Sequence, residues 1–98
     1  MIMHNPPHPG EFISDTYLEP FGYSCRFMAI QLDVSSSTLS RILKGQSSIT
    51  PEMALRLSKA VGRSAESWLA MQDNYNLWLA RKNVNLNKVS AVNFSVSQ

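Results

Sequence analysis

The stretch from Ser36 to Lys44, SSTLSRILK, sets hydroxyls and cations against spaced aliphatic residues. Leu39, Ile42 and Leu43 recur at helical spacing and belong to one buried stripe, so Ser36, Ser37, Ser40, Arg41 and Lys44 fall on the opposite side. Serine and threonine hydroxyls both donate and accept hydrogen bonds, while Arg and Lys bring positive charge to phosphate oxygens. A short helix with such an outer face and no acid on it suits a groove lined by phosphates and base edges. The sequence predicts a reading helix over Ser36 to Lys44, with Ser35 at its entrance, Ser36, Ser37, Thr38 and Ser40 toward the bases, and Arg41 and Lys44 nearer the backbone. Ser and Lys also make ordinary solvated helix faces. What separates this helix from that alternative is the pattern around it.

Little else in the chain could do covalent or metal chemistry. His4 and His8 are four apart, but Pro6 and Pro7 between them exclude the helix that would bring both to one metal, and no third ligand lies nearby. Cys25 has no base within sequence reach, the seven carboxylates include no pair suited to acid and base work, and no glycine-rich phosphate loop is present. No enzyme activity, metal, cofactor or small-molecule substrate is expected. A lone cysteine excludes an internal disulfide and fits a reducing cytoplasm, with Cys25 a half-buried structural thiol. There is no apolar run of signal-peptide length at the start and none near the roughly 20 residues of a membrane span, so no membrane partner is expected.

The elements that must carry the reading face are marked by their ends. Ser24 opens a second helix that Gln31 and Leu32 close, Asp33 and Val34 make a turn, and Ser35 stands where the next helix needs an N-cap oxygen. Ala29 is small where two helices must cross closely. Asp33 occupies a turn position usually given to glycine and is one of the few residues that tolerate left-handed backbone. Gly45 ends the third helix, Thr50, Pro51 and Glu52 open a fourth, and Gly62 stops it before Ser64 caps a fifth that runs to about Lys82. Ahead of these, residues 1–8 form an extended arm, and Pro9 and Gly10 open a first helix to about Glu19 that Pro20 and Gly22 end. Phe12, Ile13 and Tyr17, with Thr16 beside them, face inward from the first helix, Phe27, Met28 and Leu32 from the second, and Met53, Ala54, Leu57, Ala60 and Val61 from the fourth. The expected fold class is all-α, with five helices in one domain over residues 9–82 and a tail over residues 83–98.

At 98 residues and a net charge of +2 the whole chain is only mildly basic, but its charge is uneven. Residues 1–23 hold Glu11, Asp15 and Glu19 and no Lys or Arg, whereas residues 24–63 hold six cations against Asp33 and Glu52. Positive charge gathers where the reading helix lies. So short a chain buries only about two thirds of its unfolded surface, which favours oligomers. On the fifth helix Ala65, Trp68, Leu69, Met71, Gln72, Tyr75 and Leu79 mark a packing seam, and Trp68, Tyr75 and Trp78 give more aromatic surface than a small core needs. These three aromatics are expected at a dimer interface, with sealing of the bundle as the alternative for Trp78. After Lys82, Val84, Leu86, Val92, Phe94 and Val96 alternate with polar residues, which fits either a flexible tail or a strand that adds to another protein.

Three segments carry a family likeness: NPPHPGEFI from Asn5, VSSSTLSRILKGQSSITPEMALRLSKAVG from Val34 and SAESWLAMQDNYNLWLA from Ser64. Through them the chain resembles Xre-like helix-turn-helix proteins and, within these, the HigA antitoxins of the VapI type, over nearly all of residues 5–82. It departs from the family at Ser36, where members often have Arg or Pro, and at Asp33, where they have Gly. The resemblance implies a lambda-repressor-like fold and a cytoplasmic homodimer that binds double-stranded operator DNA, represses its own operon and neutralises a HigB-like toxin, an mRNA-cutting RNase. One short helix makes few base contacts, so two copies reading half-sites about 34 Å apart are needed for specificity. An RNase that grips mRNA must be basic, which points to the Pro-rich arm with the acidic first helix (Glu11, Asp15 and Glu19) as the toxin-binding surface and leaves the tail from Val84 to Gln98 as the other candidate. A stand-alone regulator without a toxin, and an interaction module that has lost DNA binding, are the competing readings.

Overall fold

The computed structural model describes residues 5–95, and among these the chain is all-α, with five helical elements and no strand. Helix α1 spans Pro9–Ile13 and continues without a break through a π-helical Ser14–Leu18 and a 3-10 turn Glu19–Phe21. Helices α2 (Cys25–Leu32), α3 (Ser36–Leu43), α4 (Pro51–Val61) and α5 (Ala65–Asn83) follow. Four of the five begin on a hydroxyl: Ser24, Ser35, Thr50 and Ser64 accept from the amides of Phe27, Thr38, Met53 and Ser67 at 3.0 to 3.2 Å. Each such cap satisfies a backbone donor that the helix cannot, and is worth about 1 kcal/mol.

Ile13, Met28, Ala29, Leu32, Leu39, Ile42, Met53, Ala54 and Leu57 close around Trp68, which is wholly buried. The Trp68 indole N–H donates to the Gly62 carbonyl at 3.2 Å, so burial leaves its polar atom satisfied. Phe12 and Tyr17 pack against the indole with ring centroids 5.9 and 6.2 Å away. Two core residues were not expected. Leu18 is buried at the end of the π-helical segment, whose i→i+5 bonding turns the inward face away from the α-helical positions. Ile49 is buried in the loop after α3, and its amide donates to Gln72 Oε1 at 2.7 Å, which fastens that loop to α5.

Three residues expected inside are not. Phe27 is 40% exposed and stacks on Tyr23 with centroids 4.5 Å apart, because the inward stripe of α2 is Met28, Ala29 and Leu32 and Phe27 lies one step to its side. Ala60, in the last turn of α4, is exposed on the rim of a cleft beside α2. Leu79 is 36% exposed because by that point α5 has run past the core.

The arm is more than a lead-in. Pro6, His8 and Pro9 are buried, and a Cβ on Gly10 would lie 1.8 Å from the Ile42 carbonyl oxygen. Only glycine lets the start of α1 press against the last turn of α3. At the other end, residues 84–95 form no helix or strand, turn once at Asn87–Lys88 and are exposed, with Leu86, Val89, Val92 and Phe94 between 65% and 85% accessible. The radius of gyration is 17.8 Å, against about 13 Å for a compact chain of this length, because this segment stands away from the bundle. His4, whose spacing from His8 was set aside as a metal pair, and Val96, the last alternating residue, lie outside the described residues.

Candidate nucleic-acid interface

Helices α2 and α3 meet through a turn that one residue makes possible. Asp33 has φ 58° and ψ 47°, the left-handed conformation expected of it, and this lets the amides of Asp33 and Val34 donate back to the carbonyls of Ile30 and Ala29 at 3.1 and 3.0 Å. Ala29 is buried at the crossing. At the far side of the pair, the Cys25 thiol donates to the Ser36 carbonyl at 3.7 Å, so the first turns of α2 and α3 lie side by side. Both present the positive ends of their helix dipoles to the same surface.

The outer face of α3 carries Ser36, Ser37, Arg41 and Lys44, all exposed, with Thr38 and Ser40 half-buried behind them and Leu39 and Ile42 in the core. Ser37, Arg41 and Lys44 follow one another at spacings of four and three and form one ridge. Ser35 has a different occupation. Its hydroxyl accepts from the Thr38 amide at 3.1 Å and donates to Thr38 Oγ1 at 2.8 Å, so these two residues chiefly build the cap. The helix stops at Gly45, with φ 77°, where the Gln46 and Gly45 amides donate to the carbonyls of Arg41 and Ile42 at 2.8 and 3.0 Å.

His8 holds this end of α3 in place. Its Nδ1 accepts from the Gly10 amide at 2.9 Å, its ring meets Tyr75 edge-on at 4.9 Å, and a Cβ on Gly45 would sit 3.7 Å from it. An Nδ1 that accepts must be unprotonated. Burial lowers the His8 pKa, and it outweighs the upward pull of the Ser47 backbone and the Glu11 carboxylate. The imidazole is thus a neutral cap joining α1, the loop after α3 and α5.

Of the three aromatic residues expected at an interface, Trp68 is corrected: it is enclosed by its own chain and has no surface to offer a partner. Tyr75 and Trp78 are half-buried, 6.1 Å apart, and line an open cleft of about 540 Å³ with Glu11 and Lys44. Lys82 Nζ lies 4.3 Å from the Trp78 ring. Glu11, Asp15 and Glu19 are all exposed, but they border different surfaces. Glu11 shares the cleft with Lys44, whereas Glu19 sits in the turn that leads to Phe21, Tyr23 and Phe27. Those three aromatics, 63%, 46% and 40% exposed, stack in a row that no periodicity reading singled out. Their closeness in sequence was the available signal. Arg56, whose guanidinium reaches the turn after α2, was also missed, because a surface cation on a helix has no sequence mark that it bends inward.

Two adjacent helices joined by a left-handed turn, the second bearing an outer ridge of hydroxyls and cations, define a helix-turn-helix DNA-binding protein. The helix-turn-helix family model HTH_3 matches residues 17–68, and the chain belongs to this Xre-like family, with HigA antitoxins among its structural neighbours. It is 37% identical to the uncharacterised HTH-type transcriptional regulator YddM of Escherichia coli K12, over 91% of this chain and 94% of that one. It is 43% identical to virulence-associated protein I of Dichelobacter nodosus, over 76% and 69%. The structure of Pseudomonas aeruginosa antitoxin HigA with the higBA promoter superposes with a TM-score of 0.75 at 36% identity, over 79% of this chain and 84% of that one. No helix among the described residues is long and apolar enough to cross a membrane.

Proposed function

We propose that the chain is an antitoxin that binds operator DNA as a homodimer, represses its own operon in the cytoplasm and neutralises a HigB-type RNase toxin. The observation that carries the DNA half is the exposed, acid-free ridge of Ser37, Arg41 and Lys44, on a fold shared with a HigA bound to a promoter. Ser36, Ser37 and Ser40 supply hydrogen bonds to base edges, while Arg41 and Lys44 supply charge to phosphates. Dimerisation runs through the distal half of α5, at Tyr75 and Trp78, with the segment after Asn83 as a second contributor. The arm (residues 1–8), the DNA-binding domain (9–82) and the tail (83–98) divide these tasks.

The toxin binds away from α3, so that one complex can hold both ligands. Asp15 and Glu19 attract a basic RNase, and the apolar row Phe21, Tyr23 and Phe27 beside Glu19 gives that attraction a surface to bury. Fluorescence anisotropy on the DNA upstream of the gene tests the first half: the wild type should prefer it to an unrelated duplex, and Arg41→Ala should weaken binding and lower the salt slope by about one. Equal affinity for both duplexes contradicts the reading. A stand-alone regulator is the second reading, supported by the name given to YddM. A neighbouring reading frame for a basic RNase that this protein inhibits decides between the two.

A further inference from the structure

Arg56 belongs to α4, yet half of its hydrogen bonds go to the turn of the helix-turn-helix. Nη1 donates to the carbonyls of Leu32 at 2.9 Å and Asp33 at 3.0 Å. Nε and Nη2 both donate to Glu52 Oε2, at 3.2 and 2.7 Å, one helical turn back on α4. The Asp33 carboxylate adds a longer ion pair, 3.8 Å from Nη1. Leu32 and Asp33 are the last residue and the cap of α2, where carbonyls lack helical partners and carry the negative end of the dipole. One guanidinium thus gathers two carbonyls of the turn, and Glu52 fixes its plane from behind. Lysine cannot do this, since a single ammonium has no planar fork to divide between a carboxylate and the backbone.

Arg56 lies in a cleft with Gln31, Leu32, Asp33, Leu55 and Lys59, and none of the exposed residues of α3 borders that cleft. We propose that Arg56 is a positioning residue for DNA recognition: by clamping the Leu32–Asp33 turn it fixes the angle between α2 and α3, and hence the direction of Ser36, Ser37 and Arg41, without touching DNA. The proposal rests on the reading of α3 as the element that enters the groove. The clamp also accounts for Asp33 at a position where glycine is common. Its left-handed backbone is held from outside, so the turn does not depend on glycine's freedom.

Two measurements on the full-length protein test this. In anisotropy titrations over a range of salt, Arg56→Gln should lower the ratio of affinities for the upstream fragment and an unrelated duplex by about tenfold, the scale of one lost charge-assisted hydrogen bond. The salt slope should stay as in the wild type, because no phosphate contact is removed. Arg56→Lys should recover part of the ratio. In the free protein, amide exchange at Asp33 and Val34 should quicken by a similar factor in Arg56→Gln, while α5 is unaffected. A slope reduced by about one with an unchanged ratio would mean that Arg56 binds phosphate itself, and unchanged exchange at the turn would mean that it clamps nothing. Either result overturns the proposal. A wild type with no preference for the upstream fragment overturns the operator reading instead, and the exchange experiment still decides whether the turn is clamped.

Discussion

Residues 8–72 close on one core, whereas the distal half of α5 and the segment after it remain open. In the first region every helix start is capped, the turn is clamped by Arg56, and Met28, Ala29, Leu39, Ile42 and Leu57 are inside. In the second, Leu77 is 49% exposed and Phe94 85%, and no element among the described residues covers them. Water is a poor neighbour for so much apolar surface. The first region carries what a single chain needs to fold. The second leaves apolar surface bare, which the dimer proposed above would cover.

Substitutions in the closed region should cost the most. Trp68→Ala removes the centre of the core and should destabilise the protein by about 4 kcal/mol in urea unfolding. Gly10→Ala forces a Cβ into the Ile42 carbonyl and should cost roughly 3 kcal/mol, at the upper end of overpacking effects. It should also disturb α3, since the clash is with that helix. A wild-type melting curve for either variant would break the division drawn here.

A smaller effect comes from His8. Its folded-state pKa lies below the ordinary value of 6.5, so below pH 6.5 the unfolded chain takes up a proton that the folded chain refuses. Stability should therefore fall as pH drops from 6.5 toward the folded-state value, by at most about 1.4 kcal/mol per pH unit. His8→Asn can keep the cap and should flatten that part of the profile. The smallest change is Asp33→Gly, which relieves a left-handed residue and should raise stability by less than about 1 kcal/mol. A large loss there would show that the Asp33 carboxylate matters more than its 3.8 Å ion pair suggests.

The sequence spoke clearly wherever a local signal sets the structure. Ser35, Asp33, Gly45, Thr50 with Pro51, and Ser64 mark their boundaries through backbone chemistry that does not depend on the rest of the fold. The outer ridge of α3 was legible for the same reason, because Leu39 and Ile42 fix its opposite side. What was hidden depends on contacts between distant parts. Leu18 needed a π-helical segment, Ile49 needed Gln72, and Trp68 looked like interface surface because its enclosure by Phe12 and Tyr17 joins residues far apart in sequence. Arg56 and the row from Phe21 to Phe27 were missed alike, since neither follows from helical period.

The most direct test of the open region's role is the sedimentation of Trp78→Glu. Trp78 is half-buried beside Tyr75 at the margin of the core, so a charge there should spare most of the fold while spoiling an apolar contact between copies. Analytical ultracentrifugation should find the wild type as a dimer and the variant as a helical monomer that no longer binds the upstream DNA at the wild-type concentration. A variant that remains a stable dimer, or a monomer that binds as tightly as the wild type, would contradict the claim that this surface assembles the DNA-reading unit.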